Sequence, residues 1–164
     1  MLERIRFLTA GESHGKGLLG IIEGLPSNIK ISETYVKQHL SRRQKGHGRG
    51  GRMKIEDDFA EFIGGVRYGE TLGGPIGLQI KNKDWENWKD VMNHNIPEKP
   101  SKPITMLRPG HADLAGLQKF GMNDIRNILE RSSARETTMR VALGSFCRKM
   151  LEDIGVEIGS RVVQ

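Results

Sequence analysis

The sequence predicts an α+β fold, because short apolar runs of strand length alternate with glycine-rich loops and a long amphipathic helix lies near the C-terminus. The strand-like runs lie at residues 5–9, 18–23, 59–66 and 75–80. The last two, with glycine punctuation between them, are expected to be antiparallel neighbours. We therefore expect helices that pack against antiparallel sheets.

The first two strands enclose a glycine-bounded loop at residues 11–17. This loop carries Glu12, Ser13 and His14. Ser32 is a residue type typical of N-caps, and it predicts a helix that runs to about Arg42. Val36 and Leu40 are four positions apart and lie on one face of that helix.

The second half begins with a polar, proline-bearing stretch at residues 81–102, for which we expect irregular structure. A helix is predicted from Arg135 onward, with Gly155 as its C′ residue. Its apolar positions are Met139, Ala142, Leu143, Phe146 and Met150. Residues 156–163 have a strand-like pattern that reaches the last residue, so we expect the fold to be incomplete.

Composition limits the functional classes. The 164 residues fit a single domain, residues 1–164. The net charge of +6 should attract anions, either nucleic acid or small phosphorylated molecules. The single Cys147 cannot form an internal disulfide, which favours a reducing, cytoplasmic location. No apolar run has the length of a membrane span, so no membrane partner is expected.

A dense cluster of cations occupies residues 42–54, with glycines between them and no acidic residue. Guanidinium groups and accessible backbone N–H groups suit a multiply anionic ligand, although a solvated basic loop is the simpler explanation of a charge run. Residues 46–51 also fit the G-x-G-x-x-G pattern, but they follow a helix rather than a strand, so we exclude a dinucleotide site. Nucleic-acid binding is an alternative, which the absence of an aromatic residue from the cluster disfavours.

Two histidines lie in glycine-containing loops, His14 in residues 11–17 and His111 in residues 108–113. An imidazole there can exchange a proton with a ligand near neutral pH, although most loop histidines are merely exposed. The Gly11–Gly15 segment fits a serine-hydrolase elbow, but the predicted strand after it argues against that function. The other histidines have no zinc-like spacing, and we expect no structural metal.

Residues 130–137 join two helical patterns and bring hydroxyl groups to a helix N-terminus. That arrangement suits a phosphate group. The alternative is ordinary capping of the long helix by Ser132 or Ser133.

Five segments, in this order, resemble signatures of the chorismate synthase family. They are residues 11–15 (GESHG), 22–26 (IEGLP), 49–53 (RGGRM), 108–113 (RPGHAD) and 130–137 (ERSSARET). The resemblance implies helices packed between antiparallel β-sheets, and a family fold about twice as long, of which this chain is the N-terminal portion. It also implies the 1,4-elimination of phosphate from 5-enolpyruvylshikimate 3-phosphate to give chorismate, with reduced FMN required.

The resemblance further implies roles for individual residues. His14 is expected to protonate the leaving phosphate and His111 to protonate or hydrogen-bond the reduced flavin, with Ser13 and Asp113 orienting the two histidines. The expected substrate-binding residues are Arg43, Arg49, Arg52, Arg108 and Arg135. The expected cofactor-binding residues are Arg43, Arg49, Arg131, Ser132 and Ser133.

The expected partners are the phosphorylated substrate and FMN, with NADPH as an indirect electron source or through a separate reductase. We expect a homotetramer at full length, and neither nucleic acid nor membrane as partner. An alternative is that a chain of this length is a catalytically inactive remnant, because the later half of the family contributes further FMN contacts, an aspartate and an arginine.

Overall fold

The computed structural model describes residues 4–45, 57–161 and 163, and it confirms the α+β class. The strands are β1 (Arg6–Gly11), β2 (Gly17–Glu23), β3 (Ser27–Lys30), β4 (Glu61–Gly64), β5 (Val66–Arg67), β6 (Glu70–Leu72) and β7 (Ile76–Lys81). The helices are α1 (Glu33–Gln44), α2 (Trp85–Trp88), α3 (Asp113–Phe120), α4 (Arg126–Arg131) and α5 (Glu136–Asp153).

The strands form two antiparallel sheets, a four-stranded sheet A in the order β1-β2-β7-β4 and a three-stranded sheet B in the order β3-β6-β5. The pairing of β4 with β7 confirms the predicted antiparallel neighbours. The prediction of one strand over residues 59–66 is wrong, because Gly65 has a φ of +85° and sends β4 and β5 into different sheets.

One face of sheet A is covered by α5, and α1 packs on α5. The contact is close at Gly20, where an added Cβ would lie 2.5 Å from the Sδ atom of Met139. The core residues of these elements are Leu18, Ile22, Val36, Leu40, Ile76, Leu78, Ile80, Met139, Ala142, Leu143 and Phe146. The predicted amphipathic faces of both helices therefore supply the core.

The helix ends follow the sequence signals. The Ser32 hydroxyl accepts a hydrogen bond from the Tyr35 N–H at 3.2 Å, which confirms the predicted N-cap of α1. Gly155 has a φ of +80° after α5, and its N–H donates to the Glu152 carbonyl. The next N–H, that of Val156, donates to the Leu151 carbonyl, which completes a Schellman motif.

Two local expectations, and one alternative that the sequence left open, are wrong. Residues 81–102 include the one-turn helix α2 rather than irregular chain alone. Residues 156–161 form no strand, since none of the described segments pairs with them. Neither Ser132 nor Ser133 is the N-cap of α5, because Ser132 ends α4 and a turn separates the two helices. None of the helices in the described ranges is long and apolar enough to cross a membrane.

Candidate active site

The loop between β1 and β2 holds His14 against Glu130 of α4. The His14 Nδ1 atom lies 2.7 Å from Glu130 Oε2, and the same oxygen accepts the His14 backbone N–H at 2.9 Å. Glu130 is only 2% exposed. Because an ionised carboxylate only accepts hydrogen bonds, this contact places the Nδ1 proton toward Glu130. The His14 Nε2 atom is then the ring nitrogen that can exchange a proton with a ligand.

The surroundings of His14 further restrict the ring. Trp88 of α2 stacks on the imidazole, with 3.7 Å between the ring centroids. The backbone N–H of Ser13 donates to the Glu130 carbonyl at 2.9 Å. The Ser13 hydroxyl contacts the Ser133 hydroxyl at 3.1 Å. Glu130 therefore hydrogen-bonds to the His14 ring, and Ser13 connects the loop to the turn before α5.

A buried network lies beneath the same loop. Asn82 donates from its side-chain amide to the carbonyls of Gly15 at 2.5 Å and Ser13 at 3.2 Å. The Asn82 Oδ1 atom accepts from Arg135 Nε at 2.7 Å, and Arg135 Nη1 lies 2.7 Å from Asp58 Oδ1. Arg135 is 5% exposed, so the structure places this predicted substrate-binding residue within the support of the His14 loop.

His111 forms a second cluster at the start of α3. Its Nδ1 atom lies 2.5 Å from Asp113 Oδ1, and Asp113 is fully buried. Arg108 donates its backbone N–H to Asp113 Oδ2 at 2.9 Å, and its Nη2 atom lies 3.0 Å from the His111 Nε2 atom. Asp113, which was expected to orient a histidine, therefore lies within hydrogen-bond distance of His111.

The Asp113 carboxyl is held in its ionised form. Burial by itself would raise its pKa, but hydrogen bonds from the Arg108 backbone, the His111 ring and the Arg108 side chain together lower the pKa below its usual value. An ionised Asp113 accepts the His111 Nδ1 proton, so the imidazole is oriented in the same way as at His14.

The two histidine clusters lie on neighbouring helices, because α3 packs on α4, which carries Glu130. Gly116 of α3 lies against Ile128 of α4, where an added Cβ would overlap the isoleucine side chain. No described hydrogen bond joins the two clusters directly.

Arg43 and Arg131, which belong to the predicted anion-binding residues, lie around the turn before α5. Arg43 of α1 donates to the Ala134 carbonyl at 2.7 Å and to the Thr137 hydroxyl at 3.0 Å. Arg131 donates to the Thr9 carbonyl at 2.8 Å. Arg49 and Arg52, like the rest of residues 46–56, lie outside the described residues.

A cavity of about 550 Å³ adjoins this turn. It is lined by apolar side chains, including Met92, Phe120 and Met122, and by polar ones, including Glu12, Arg126, Arg131 and Ser132. The Arg126 Nε atom is buried and hydrogen-bonds to none of the described residues. An apolar wall beside an unsatisfied cationic donor suits a planar ligand with an anionic group.

Within the described ranges, no group of three or more His, Cys, Asp or Glu side chains is arranged to hold a metal ion.

Sequence reasoning missed three residues of this site, Asp58, Asn82 and Trp88, and it missed the contact of Glu130 with His14. Glu130 appeared only as the first residue of the 130–137 segment. Its partner is 116 positions away along the chain, and no local pattern encodes such a contact. Trp88 was missed because α2 has a single turn.

Comparison with known proteins identifies relatives. The family model for chorismate synthase matches residues 5–164. The chain is 58% identical over 163 residues to the chorismate synthase of Aquifex aeolicus, covering 99% of this chain and 41% of that protein. It is 51% identical over 163 residues to that of Listeria welshimeri, covering 98% of this chain and 42% of the relative.

A solved crystal structure of a chorismate synthase matches with a TM-score of 0.72 and 44% identity, covering 96% of this chain and 37% of that one. The chain therefore spans about two-fifths of the length of the curated relatives it matches. The family model covers nearly every residue, and the chain belongs to the chorismate synthase family.

Proposed function

We propose that this chain carries the N-terminal part of a site that eliminates phosphate from 5-enolpyruvylshikimate 3-phosphate to give chorismate. In this reaction the C3–O bond breaks as phosphate leaves with the electron pair, a C6 hydrogen is lost, and no net oxidation occurs. The observation that carries the proposal is the contact of His14 with the buried Glu130 carboxylate, within a chain of this family.

His14 acts as the proton donor to the leaving phosphate. The buried carboxylate lies 2.7 Å from Nδ1 and fixes the ring, so that Nε2 is the atom that presents a proton to a ligand. Stacking on Trp88 limits rotation of the ring, so the donor is held in one orientation. Protonation of the departing oxygen makes the phosphate a better leaving group.

The arginines bind the charges of the substrate, which carries a phosphate and two carboxylates. Arg43 beside the turn before α5, together with Arg49, Arg52 and Arg108, provides guanidinium groups of the required kind. Arg135 lies beneath the His14 loop, where it is paired with Asp58, and it contributes its positive charge from there.

Reduced FMN, when bound, supplies transient electron density to the reaction. The cavity beside Arg131 and Ser132 fits this cofactor, because its apolar wall suits a planar ring and the Arg126 donor suits its phosphate. Ser133 lies in the same turn. His111, oriented by Asp113, donates a hydrogen bond or a proton to the flavin ring. NADPH is the indirect source of electrons.

The setting we propose is a cytoplasmic flavoprotein of aromatic amino acid biosynthesis that assembles as a homotetramer at full length. The proposal concerns the whole protein, because the relatives are more than twice as long as this chain.

A hybrid enzyme tests the function. These 164 residues replace the matching segment of the Aquifex aeolicus chorismate synthase, and chorismate formation is measured with reduced FMN. We expect an active hybrid, loss of activity in the order of 10²-fold or more with His14→Ala, and little change with Lys30→Ala, an exposed control on β3.

A titration separates the competing functions. The hybrid is titrated with FMN, in the presence and absence of substrate, and with an oligonucleotide. Flavin binding that tightens with substrate supports the enzyme. An inactive hybrid that binds the oligonucleotide in a salt-sensitive manner, without a substrate effect, contradicts the proposal and favours a nucleic-acid function for the basic segment.

A further inference from the structure

The His14 ring is held between two segments, and both segments continue into the wall of the cavity beside Arg131. On one side, Glu130 of α4 lies 2.7 Å from the ring, and the next two residues, Arg131 and Ser132, line the cavity. On the other side, Trp88 of α2 stacks on the ring with 3.7 Å between the centroids. The proton donor and the cavity therefore share their supporting chain.

Trp88 connects the two through its side chain and its backbone. Its carbonyl accepts the Val91 N–H at 2.9 Å and the Met92 N–H at 2.8 Å. Val91 and Met92 both line the cavity. A displacement of this part of the wall would therefore move the indole ring that stacks on His14.

The indole ring is also fixed from the other end of its segment. Its Nε1–H donates to Asp84 Oδ2 at 2.9 Å, and Asp84 directly precedes α2. The Asn82 N–H donates to the Lys16 carbonyl at 3.1 Å, which ties the start of the segment to the loop between β1 and β2. The segment is therefore connected at one end to that loop and at the other end to the cavity.

We propose that Trp88 is a positioning residue that couples occupancy of the cavity to the orientation of the His14 ring. This inference rests on the proposed function, which assigns FMN to the cavity and proton donation to His14. A ligand that packs on Val91 and Met92 fixes the chain bonded to the Trp88 carbonyl, and the indole is then held on the imidazole. The proton donor is oriented once the cofactor is in place.

Coupling of this kind is reciprocal. If FMN and the His14 ring stabilise the same arrangement of Trp88, each must strengthen the binding of the other. Removal of the ring should therefore weaken FMN binding through Trp88. The stacked pair limits the size of the effect, and aromatic pairs contribute enough to change an equilibrium constant by about 2- to 12-fold.

A double-variant cycle in the full-length hybrid tests the coupling. The change in flavin fluorescence on binding gives the dissociation constant of FMN for the hybrid, for His14→Ala, for Trp88→Leu and for the double variant. We expect His14→Ala to weaken FMN binding about 3- to 10-fold when Trp88 is present, and less than about 1.5-fold in the Trp88→Leu background. Trp88→Phe keeps an aromatic face and should preserve part of the effect.

Trp85→Leu is the matched control, because it makes the same substitution on the same helix. Trp85 is half-buried like Trp88, but its ring faces Lys16, whose Nζ atom lies 5.9 Å from the ring centroid. The effect of His14→Ala on FMN binding should be unchanged in the Trp85→Leu background. Circular dichroism checks that each variant is folded, and Trp88→Met replaces Trp88→Leu should the latter unfold the hybrid.

Three results overturn the inference. The first is an equal effect of His14→Ala with and without Trp88, which would show that the imidazole affects FMN independently of the indole. The second is no effect of His14→Ala in either background, and the third is loss of the effect in the Trp85→Leu control. Any of these in a hybrid that forms chorismate leaves the proposed function standing, whereas a hybrid that neither binds FMN nor forms chorismate overturns both.

Discussion

The ion pair between Arg135 and Asp58 gives the sharpest test of how the His14 loop is supported. Both side chains are almost completely buried, and Arg135 Nη1 lies 2.7 Å from Asp58 Oδ1. Asp58→Ala removes the carboxylate and leaves a buried guanidinium without this countercharge. Breaking a buried pair from one side costs about 3–5 kcal/mol. For a chain of this size, that corresponds to a fall in Tm of roughly 6–20 °C.

The neighbouring residue provides the control. Asp57 pairs with Lys37 at 3.2 Å, but both side chains are exposed to solvent. Asp57→Ala should therefore change the free energy of unfolding by about 1 kcal/mol at most. Urea unfolding followed by circular dichroism measures both variants under the same conditions.

A double variant isolates the charge from the packing. Asp58→Leu combined with Arg135→Met replaces the pair by apolar side chains, and such replacements of buried pairs are often close to neutral. We expect the double variant to be more stable than Asp58→Ala. An Asp58→Ala variant within about 1 kcal/mol of Asp57→Ala would refute the reasoning, and it would favour Arg135 as a direct ligand of the substrate.

Three further predictions concern the core and the two histidines. Gly20→Ala should lower the free energy of unfolding by about 1–3 kcal/mol, measured by urea unfolding, because the new Cβ overlaps Met139. Asp113→Asn should lower stability at neutral pH; since the pKa of Asp113 is depressed, the difference from wild type should begin to shrink as pH falls below about 4 and vanish only below the depressed pKa. Glu130→Gln should lower kcat of the hybrid enzyme about 10- to 100-fold, because a charge-assisted hydrogen bond to His14 contributes about 1.5–3 kcal/mol.

Local signals in the sequence predicted the elements that depend on local physics. The Ser32 cap, the Gly155 terminus and the apolar face of α5 were found, because each is encoded within a few neighbouring positions. The division of residues 59–66 between two sheets was not found, since it depends on where β7 and β6 lie.

The candidate site shows the same limit more clearly. Resemblance indicated His14 and His111, and the proximity of Asp113 to His111 follows from their separation of two residues. The contact of His14 with Glu130 and the support of its loop by Asn82 join segments 67 or more positions apart. Such contacts arise from packing and cannot be derived from spacing.

This distribution of contacts links the chemistry of His14 to the folding of the whole chain. Asn82 and Glu130, which hold the loop, come from the segment after β7 and from α4, so the loop geometry exists only after these elements dock on sheet A. Changes that loosen α5, such as Asp58→Ala, should therefore disorder the His14 ring even though they lie outside the reacting groups. In ¹⁵N-labelled protein, a His14 ring signal that stays unchanged when Asp58→Ala lowers stability would show that the loop is held independently of the core.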